Sequence, residues 1–282
     1  MHNALLIGDS LTAELLTTRL QETHIAVKCI STDAANVLGD DLKQVAANVD
    51  IVVICGSGRS SQSLVDALPN DAKILDISPT FRTQSGWLYG FHDVSTRQQL
   101  KTSKRVSNPG CIATATLLIL RTLNSIPEFD NSGMLYVDTL CGYSSGGRRL
   151  IDKMKHGEQS FLSSFGKVHY QVPEIKMHGT YQGNVLIVPK VMNAYAGTMV
   201  SLFVPDVSKI QFDSALTKMN FVDVALVDES PHKLRVDYWA GKEGACIASR
   251  DISNGCHIVC CLDNLLKGCV STAMDSISIM LA

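Results

Sequence analysis

Short apolar runs alternate with amphipathic ones along the N-terminal third of the chain. The apolar runs lie at 4–8, 25–31, 51–55 and 74–77, and the amphipathic ones include 13–20 and 64–68. This alternation of strand and helix patterns predicts a parallel sheet covered by helices on both faces. Sheets of this kind bind ligands at the carboxyl ends of their strands, near the point where the strand order reverses.

The pattern changes in the second half of the chain. Longer β-rich runs at 134–141, 184–192, 198–204 and 222–227 predict a mixed or antiparallel sheet. A final run at 265–281 is long enough for a helix that returns to the first domain. The predicted fold class is therefore α/β, with a Rossmann-like parallel-sheet domain followed by an α+β domain built on a mixed or antiparallel sheet.

The length supports two domains, because 282 residues exceed the usual range of one domain. We place the first domain at 1–110 and 264–282 and the second at 111–263. A net charge of -2 and a hydrophobic content of 45% provide no field that attracts nucleic acid or anionic lipid. Neither a membrane span nor a cleavable leader is visible in the sequence, so we expect a cytoplasmic protein.

The nine cysteines are scattered and mostly embedded in apolar runs, as at 52–55 and 258–261. An odd, scattered set argues against a disulfide framework. Cysteine and histidine residues crowd together at 256–261, but if this run is a strand, alternate residues face opposite ways and the cluster is split. Since the chain has no CxxC or HExxH spacing, we expect no metal site.

The most informative motif is Ser107-Asn108-Pro109-Gly110-Cys111, which is followed by an apolar-rich run at 112–123. It places a thiol where a loop turns into a helix, and a helix N-terminus favours the nucleophilic thiolate. Asn108 is the expected N-cap, Pro109 is expected in the first turn, and Gly110 lets another group approach the backbone. The alternative is a capped helix that carries a small buried cysteine.

The turn after the first strand has the position of a dinucleotide-binding loop. It reads Gly8-Asp9-Ser10-Leu11-Thr12-Ala13-Glu14 and keeps only one of the glycines of GxGxxG. Ser10 and Thr12 offer hydroxyl and backbone N–H groups to a pyrophosphate at the helix N-terminus. Simple helix capping by the same residues is the alternative.

Two further segments combine arginines with turn residues. Leu75-Asp76-Ile77-Ser78-Pro79-Thr80-Phe81-Arg82 ends a strand, and its Arg82 suits an anion held by two hydrogen bonds. The turn at 141–149 is rich in glycine and serine, contains Arg148, and also suits an anion. The alternatives are a solvated loop arginine and an ordinary surface turn.

An imidazole and a carboxylate stand five residues apart in the segment 168–175, where Pro173 fixes the backbone between His169 and Glu174. A lone histidine is usually structural. Because Cys/His pairs are assembled in space rather than in sequence, His169 is nevertheless a candidate base for Cys111.

The last strand-to-helix turn reads Leu262-Asp263-Asn264-Leu265-Leu266-Lys267-Gly268, where Asp263 or Asn264 caps the helix in the simplest interpretation. In this order, the segments resemble the N-acetyl-gamma-glutamyl-phosphate reductases of arginine biosynthesis, in the shorter of their two branches and within the wider semialdehyde dehydrogenase family. Asn-Pro-Gly-Cys and Asp-Asn-Leu-x-Lys-Gly are the most specific elements. Ser-Pro-Thr-Phe-Arg, Gly-Trp-Leu-Tyr-Gly-Phe, Gly-Tyr-Ser-Ser-Gly-Gly-Arg and His-x-x-x-Pro-Glu-Ile complete the resemblance, which spans nearly the whole chain.

The resemblance implies an NADPH-dependent reductive dephosphorylation of N-acetyl-gamma-glutamyl phosphate. Cys111 is then the nucleophile: it displaces phosphate and forms a thioester, which accepts hydride far more readily than a carboxylate does. His169 takes the thiol proton and later protonates the hemithioacetal, which collapses to N-acetylglutamate semialdehyde. Glu174 orients or tunes the imidazole.

The resemblance also implies binding roles and a preference for NADP. It assigns cofactor contacts to Gly8, Ser10, Thr12, Ser78, Ser144, Gly146 and Asn264, and substrate contacts to Arg82, Asn108 and Arg148. NADP is favoured because Lys28, Ser31 and Thr32 lie near the end of the second strand, where NAD enzymes usually carry an acidic residue; Asp33 follows directly. A homodimer or homotetramer is expected.

The chain differs from the family pattern at four places. The cofactor loop has lost glycines, the segment 55–59 reads Cys-Gly-Ser-Gly-Arg instead of the usual Leu-Pro-His, Ile112 replaces an aromatic residue, and Gln171 replaces a second histidine. Three alternatives stay open. They are a related reductase of a carrier-bound aminoadipyl phosphate, a homologue without the chemistry that serves as a binding or regulatory subunit, and a Cys/His acyl transferase or hydrolase without nicotinamide.

Overall fold

Apolar runs form the central strands of the first sheet. Every residue of Ile51–Ile54 is buried, as expected for a strand that helices cover on both faces. The computed structural model describes residues 2–56, 58–91, 93–227 and 232–282. The strands are β1 His2–Ile7, β2 Ile25–Ile30, β3 Ile51–Ile54, β4 Ile74–Asp76, β5 Leu88–Tyr89, β6 Arg105–Ser107, β7 Met134–Gly142, β8 Phe161–Leu162, β9 Asn184–Met192, β10 Thr198–Pro205, β11 Val224–Leu226, β12 Ala245–Ile252 and β13 Gly255–Leu262.

The α-helices are α1 Leu11–Gln21, α2 Thr32–Leu38, α3 Asp40–Ala47, α4 Gly58–Asp66, α5 Val94–Leu100, α6 Cys111–Leu123, α7 Gly147–Lys155, α8 Val172–His178, α9 Lys209–Lys218, α10 Val236–Trp239 and α11 Ser271–Leu281. A turn of 3-10 helix spans Tyr143–Gly146, and a turn of π-helix spans Leu266–Val270. Over the described ranges, no helix combines the length and apolar character needed to cross a membrane.

The first sheet is parallel, as predicted. Within the described residues its strand order is β2-β1-β3-β4-β6-β5. Apolar residues of α1, α5 and α11 pack on one face, and residues of α2, α3 and α4 pack on the other. The chain leaves β1 toward β2 on one side and reaches β3 on the other, so the carboxyl ends of β1 and β3 flank the switch point at which such sheets bind ligands.

The second sheet is mixed, as predicted. In the part of the chain that the structure describes, its order is β11-β12-β13-β10-β7-β9-β8. The pairs β7/β9 and β11/β12 are parallel, and the other neighbours are antiparallel. Helices α6 and α9 pack on this sheet, α6 against β10 and β13 and α9 against β12.

Two units make up the chain, and the second is inserted into the first. The first unit comprises Met1–Pro109 and Cys269–Ala282, and the second comprises Gly110–Gly268. Helix α11 packs with α1 and α5 inside the first unit, so the predicted return of the C-terminal helix is confirmed.

The sequence pattern missed several short or half-polar elements. β5 and β8 have two residues each, too few to show a period. β12 was not predicted because its second half carries Ser249, Arg250 and Asp251 among apolar residues. The run at 265–281 was predicted as one helix, whereas its first turn is π-helical. Ser57, in the loop that departs from the family pattern, lies outside the described residues.

A buried carboxyl group ends β4. Asp76 is fully buried, and its Oδ2 accepts a hydrogen bond from Ser78 Oγ at 2.7 Å. Burial raises the pKa of Asp76 to about 6, although the hydroxyls of Ser78 and Ser61 and the Arg82 guanidinium act in the opposite direction. Asp76 therefore changes charge close to neutral pH inside the first unit.

This raised pKa predicts how stability depends on pH. Because the pKa in the folded chain, about 6, exceeds the ordinary value of 3.8, the folded state holds the proton more tightly. The stability from this proton is complete below about pH 4 and is lost as the pH rises through about 6, a loss of roughly 3 kcal/mol. Asp76→Asn keeps an acceptor for Ser78 and should flatten this part of the profile, measured as the free energy of urea unfolding from pH 4 to 7.

A second variant checks the same assignment. Ser78→Ala removes a hydroxyl that lowers the pKa of Asp76, so the loss of stability should move to higher pH. Identical pH profiles for the wild type and Asp76→Asn would contradict the prediction.

Candidate active site

Helix α6 carries Cys111 at its first position. Every residue of α6 is buried except Cys111 and Arg121, and Cys111 is partly exposed. The prediction that this cysteine opens a helix is confirmed. Its sulfur lies at the positive end of a buried helix of 13 residues, where the thiolate is favoured over the thiol.

The start of α6 differs from the prediction in its cap. The N-cap is Gly110 in an extended conformation, not Asn108, and Pro109 precedes the cap instead of lying in the first turn. Asn108 is fully buried, and its Nδ2 donates to the carbonyl oxygen of Cys269 at 3.2 Å. Asn108 is the polar side chain nearest to the helix start in the sequence, but this hydrogen bond engages it away from the N-terminus of α6.

Acceptors for the N-terminus of α6 come from the start of α8. Oε1 of Glu174 accepts the Gly110 N–H at 2.7 Å, and Oε1 of Gln171 accepts the Ala113 N–H at 2.8 Å. Glu174 and Gln171 are 2% and 1% exposed, so water is no substitute for either contact. The sequence interpretation assigned Glu174 to the imidazole and gave Gln171 no role. The sequence feature that could have indicated this role of Gln171 is its polar side chain, two positions after His169.

His169 lies two residues before Gln171, the first of these two acceptors. Its Nδ1 accepts a hydrogen bond from the backbone N–H of Gln171 at 3.3 Å, and its ring stacks on Tyr170 with centroids 4.6 Å apart. Burial lowers the pKa of His169, and the carboxylate of Glu174 partly opposes that shift. The imidazole is therefore mainly neutral at pH 7 and, with Nδ1 accepting, carries its proton on Nε2.

The turn at 263–268 begins with a local cap. Oδ1 of Asp263 accepts the N–H groups of Leu265 at 2.6 Å and Leu266 at 2.9 Å, while its Oδ2 accepts the Gly241 N–H at 2.6 Å. Of the two capping residues considered from the sequence, Asp263 is the one that caps the turn.

Asn264 bridges two other loops. Its Oδ1 accepts the Gly197 N–H at 2.8 Å, and its Nδ2 donates to Ser144 Oγ at 3.0 Å. Both Asn264 and Ser144 are buried. The structure thus brings these two predicted cofactor-binding residues together and gives each a hydrogen-bond partner within the second unit.

Gly268 ends the same turn against Cys111. A Cβ atom on Gly268 would lie 2.6 Å from Cys111 Cβ and 3.1 Å from Cys111 Cα. The first distance is shorter than real Cβ atoms adopt and the second is unusually tight, so only glycine fits beside Cys111 without displacement. The two most specific motifs of the sequence therefore meet at this contact.

Gly146 and Arg148 lie where the 3-10 turn leads into α7. A Cβ atom on Gly146 would lie 2.4 Å from the Leu150 side chain. Arg148 is exposed in the first turn of α7. The predicted glycine-rich turn with its cations is therefore present at the end of β7.

The loop after β1 lies at the switch point of the first sheet. Gly8 has a φ of +143°, and a Cβ atom there would lie 2.7 Å from the carbonyl oxygen of Cys55 at the end of β3. Ser10 is the N-cap of α1: its Oγ accepts the Ala13 N–H at 3.2 Å and donates to the Cys55 carbonyl at 3.1 Å. The capping alternative for Ser10 is thus correct, and it leaves the N-terminus of α1 at the strand ends.

Arg82 is buried and holds backbone carbonyl groups. Its Nε donates to the oxygen of Asn108 at 2.9 Å, and its Nη2 donates to the oxygen of Ile77 at 3.2 Å. Arg82, Ser78 and Asn108 therefore belong to one hydrogen-bonded region of the first unit. Their assignment to cofactor or substrate stays a prediction.

All nine cysteines lie in the described ranges, and none forms a disulfide. Cys55 and Cys141 are buried, and burial raises the pKa of both thiols. Burial also raises the pKa of Cys269 to about 11. Cys29 is exposed on the edge strand β2. Cys111 therefore combines partial exposure with the N-terminus of a buried helix.

Curated proteins that this chain is similar to are reductases. It is 29% identical over 259 residues to the N-acetyl-gamma-glutamyl-phosphate reductase of Brucella anthropi, covering 82% of this chain and 83% of that protein. It is 26% identical over 260 residues to the protein of the same name from Rhizobium meliloti, covering 83% and 84%. No protein-family model matches the chain.

Solved structures of similar fold are aspartate semialdehyde dehydrogenases. Aspartate semialdehyde dehydrogenase II of Vibrio cholerae, in complex with ASA, matches with a TM-score of 0.77 at 12% identity, covering 100% of this chain and 98% of that chain. The Francisella tularensis enzyme matches with a TM-score of 0.76 at 11% identity, covering 100% of both chains. The predicted fold class is confirmed. The curated reductases confirm the prediction that the chain is an enzyme of the reductase and dehydrogenase class.

Proposed function

We propose that this enzyme reduces N-acetyl-gamma-glutamyl phosphate to N-acetylglutamate 5-semialdehyde, with NADPH as reductant and a thioester on Cys111 as intermediate. The observation that carries the proposal is the position of Cys111, which is partly exposed at the positive end of α6. His169 is the proposed acid and base because Gln171 links it to α6: the Gln171 side chain accepts the Ala113 N–H, and its backbone N–H donates to His169 Nδ1. The names of the relatives supply the substrate.

The proposed reaction follows from these groups. The Cys111 thiolate attacks the acyl carbonyl carbon, the carbon–oxygen bond to phosphate breaks, and phosphate leaves as a thioester forms. NADPH, when bound, supplies the hydride that reduces this thioester. The lone pair of the neutral imidazole is on Nδ1, so His169 takes the thiol proton there and gives up its contact with the Gln171 N–H. It then protonates the hemithioacetal oxygen, and collapse of that intermediate releases the aldehyde and restores the thiol group. The Glu174 carboxylate favours the protonated imidazole during these transfers.

We assign the cofactor to the first predicted domain, 1–110 with 264–282, and the chemistry to the second, 111–263. The close approach of Gly8 to Cys55 and the N-terminus of α1 fit a pyrophosphate, with Ser10 and Thr12 beside it. NADP is preferred because β2 ends without an acidic residue: Ser31 caps α2 there, and Asp33 lies in the first turn of that helix.

The other predicted contacts fall into a substrate group and a nicotinamide group. Arg148 is the exposed cation that we propose for the substrate phosphate or carboxylate. Gly146, Ser144 and Asn264 form the proposed nicotinamide side, with Asn264 fixing the position of Ser144. Nine free thiols fit a reducing compartment, so we propose a cytoplasmic enzyme.

The experiment that tests the function is the reverse reaction. Purified protein is given N-acetylglutamate semialdehyde, NADP and phosphate, and the absorbance of NADPH is followed. Phosphate-dependent reduction of NADP is expected. If a folded sample gives no turnover with NADP or NAD, titration with NADPH and NADH decides between two readings. Binding without turnover indicates another substrate or a catalytically inactive homologue, and the absence of binding overturns the reductase proposal.

Cys111→Ser should abolish turnover and leave NADPH binding near that of the wild type. A serine hydroxyl is not ionised at neutral pH, so the covalent step is lost while the cofactor contacts remain. Turnover comes from the absorbance assay and binding from fluorescence titration. Turnover of Cys111→Ser within tenfold of the wild type would contradict the nucleophile assignment.

Gly268→Ala should slow both turnover and the alkylation of Cys111 by iodoacetamide. The added methyl group would lie 2.6 Å from Cys111 Cβ, so the nucleophile must shift, at a cost of about 1–3 kcal/mol. Gly133→Ala is the matched control, because a Cβ atom there meets only the Asp130 carboxylate, at 3.6 Å. Equal alkylation rates in the two variants would contradict the prediction.

We further propose a homo-oligomer, a dimer or tetramer, that pairs through the open face of the second sheet. Large apolar side chains on this face are between 46% and 64% exposed: Met134, Tyr136, Leu186 and Phe203. By strand alternation, Asp138 and Lys190 share the face, and they form an ion pair at 2.6 Å. An apolar face that carries both charge signs is complementary to a second copy of itself.

Phe203→Asp and Leu186→Asp should each convert the oligomer to smaller species in sedimentation velocity, because a carboxylate would be buried in the apolar interface. Ile210→Asp on α9 is the control. Ile210 is 79% exposed but lies on a different element, so that variant should keep the wild-type state. A monomeric wild type would contradict this proposal.

A further inference from the structure

We propose that Gln171 is a positioning residue that couples the helix of Cys111 to His169. The inference rests on the proposed function, in which Cys111 is the nucleophile and His169 its acid and base. It concerns a position at which the chain departs from the family pattern, so the resemblance gives it no role.

Gln171 first contacts the N-terminus of α6. Its Oε1 accepts the Ala113 N–H at 2.8 Å across a separation of 58 residues, and the side chain is buried. The N–H groups of a first helical turn have no partner within the helix, and the N-cap Gly110 has no side chain to provide one. Gln171 therefore performs the task of a local N-cap side chain from another helix.

The Gln171 amide that accepts the Ala113 N–H is electrically neutral. The charge at this position affects Cys111, because Ala113 is only two residues from the thiol. The partial positive charge at the start of α6 favours a thiolate on Cys111. A carboxylate at position 171 would accept the same N–H but would place a negative charge at this end and oppose the thiolate. Glu174 already brings one carboxylate to Gly110. The amide of Gln171 satisfies the helix without adding a second.

The remaining contacts of Gln171 lead to the imidazole. Its Nε2 donates to the Tyr170 hydroxyl at 3.0 Å, and Tyr170 stacks on the His169 ring. The reverse amide orientation would set Nε2 against the Ala113 N–H, two donors facing each other. The backbone N–H of Gln171 donates to His169 Nδ1 at 3.3 Å, which fixes the tautomer of the neutral ring. One residue thus contacts both reacting elements.

The test is the rate of Cys111 alkylation by iodoacetamide as a function of pH. A Cys29→Ser background removes the exposed thiol, and peptide mass identifies the modified residue. Gln171→Glu retains the acceptor for Ala113 and adds charge, whereas Gln171→Met removes the acceptor. The reaction needs neither substrate nor cofactor, so its outcome is separate from reductase turnover.

Outside position 171, the charged groups near this end of α6 are the same in every variant. Among the described residues of the second unit, Glu174 contacts the Gly110 N–H, His169 contacts the backbone N–H of Gln171, and Asp263 and Lys267 belong to the turn that ends at Gly268. A difference between the Gln171 variants therefore reports on position 171 itself.

We expect Gln171→Glu to slow alkylation at pH 7 about tenfold and to raise the midpoint of the profile by about one pH unit, which is the effect of a tenfold smaller thiolate fraction. Its urea midpoint should fall at pH 7, since a carboxylate then occupies a buried position beside Glu174, and should recover as the carboxyl group is protonated at lower pH. Gln171→Met should lower both the alkylation rate and the urea midpoint.

Two results would overturn the inference, and they are distinguishable. If wild-type Cys111 reacts no faster in the folded than in the urea-unfolded chain, the proposed nucleophile fails, and the role of Gln171 fails with it. If Cys111 is reactive and Gln171→Glu gives the wild-type profile, only the positioning role fails, and Gln171 is a structural cap.

Discussion

The buried N-terminus of α6 is the constraint on which the site depends. Because the helix is buried nearly throughout, a buried N–H group of its first turn that is left unpaired costs about 1–3 kcal/mol. The N-cap is a glycine, so the acceptors come from Glu174 and Gln171 at the start of α8. These contacts satisfy the start of α6, and the backbone N–H of Gln171 also holds His169, two residues earlier in the chain.

The turn at 263–268 limits the position of Cys111 through the contact with Gly268. Asp263 closes the turn by accepting its backbone N–H groups, and Asn264 holds the turn to the loop of Ser144. Gly268 then contacts Cys111 where no Cβ atom fits. Rigid backbone, rather than a flexible side chain, thus determines where the sulfur-bearing residue lies. This gives a physical reason for the specific spacing of the Asp-Asn-Leu-x-Lys-Gly segment.

Sequence periodicity predicted the parts of the fold that depend on burial. Apolar runs such as Ile51–Ile54 became strands, and Cys111 opens the helix that its flanking pattern predicted. The caps were not predictable in the same way. Asn108 was the expected N-cap because it is the nearest polar side chain, yet the acceptor comes from Gln171, 58 residues from Ala113. Hydrogen bonds between distant segments leave no periodic signal, and neither do strands of two residues.

The same contacts explain how a departure from the family pattern is compatible with the proposed chemistry. A neutral histidine at position 171 also has a ring nitrogen that accepts an N–H, so glutamine and histidine share the property that a buried helix end requires. They differ in titration, because glutamine stays neutral at every pH. The thiolate therefore depends on the helix N-terminus and on the balance at His169, where burial lowers the pKa and Glu174 opposes it. Replacing the histidine removes one titrating group from the site and leaves its architecture in place.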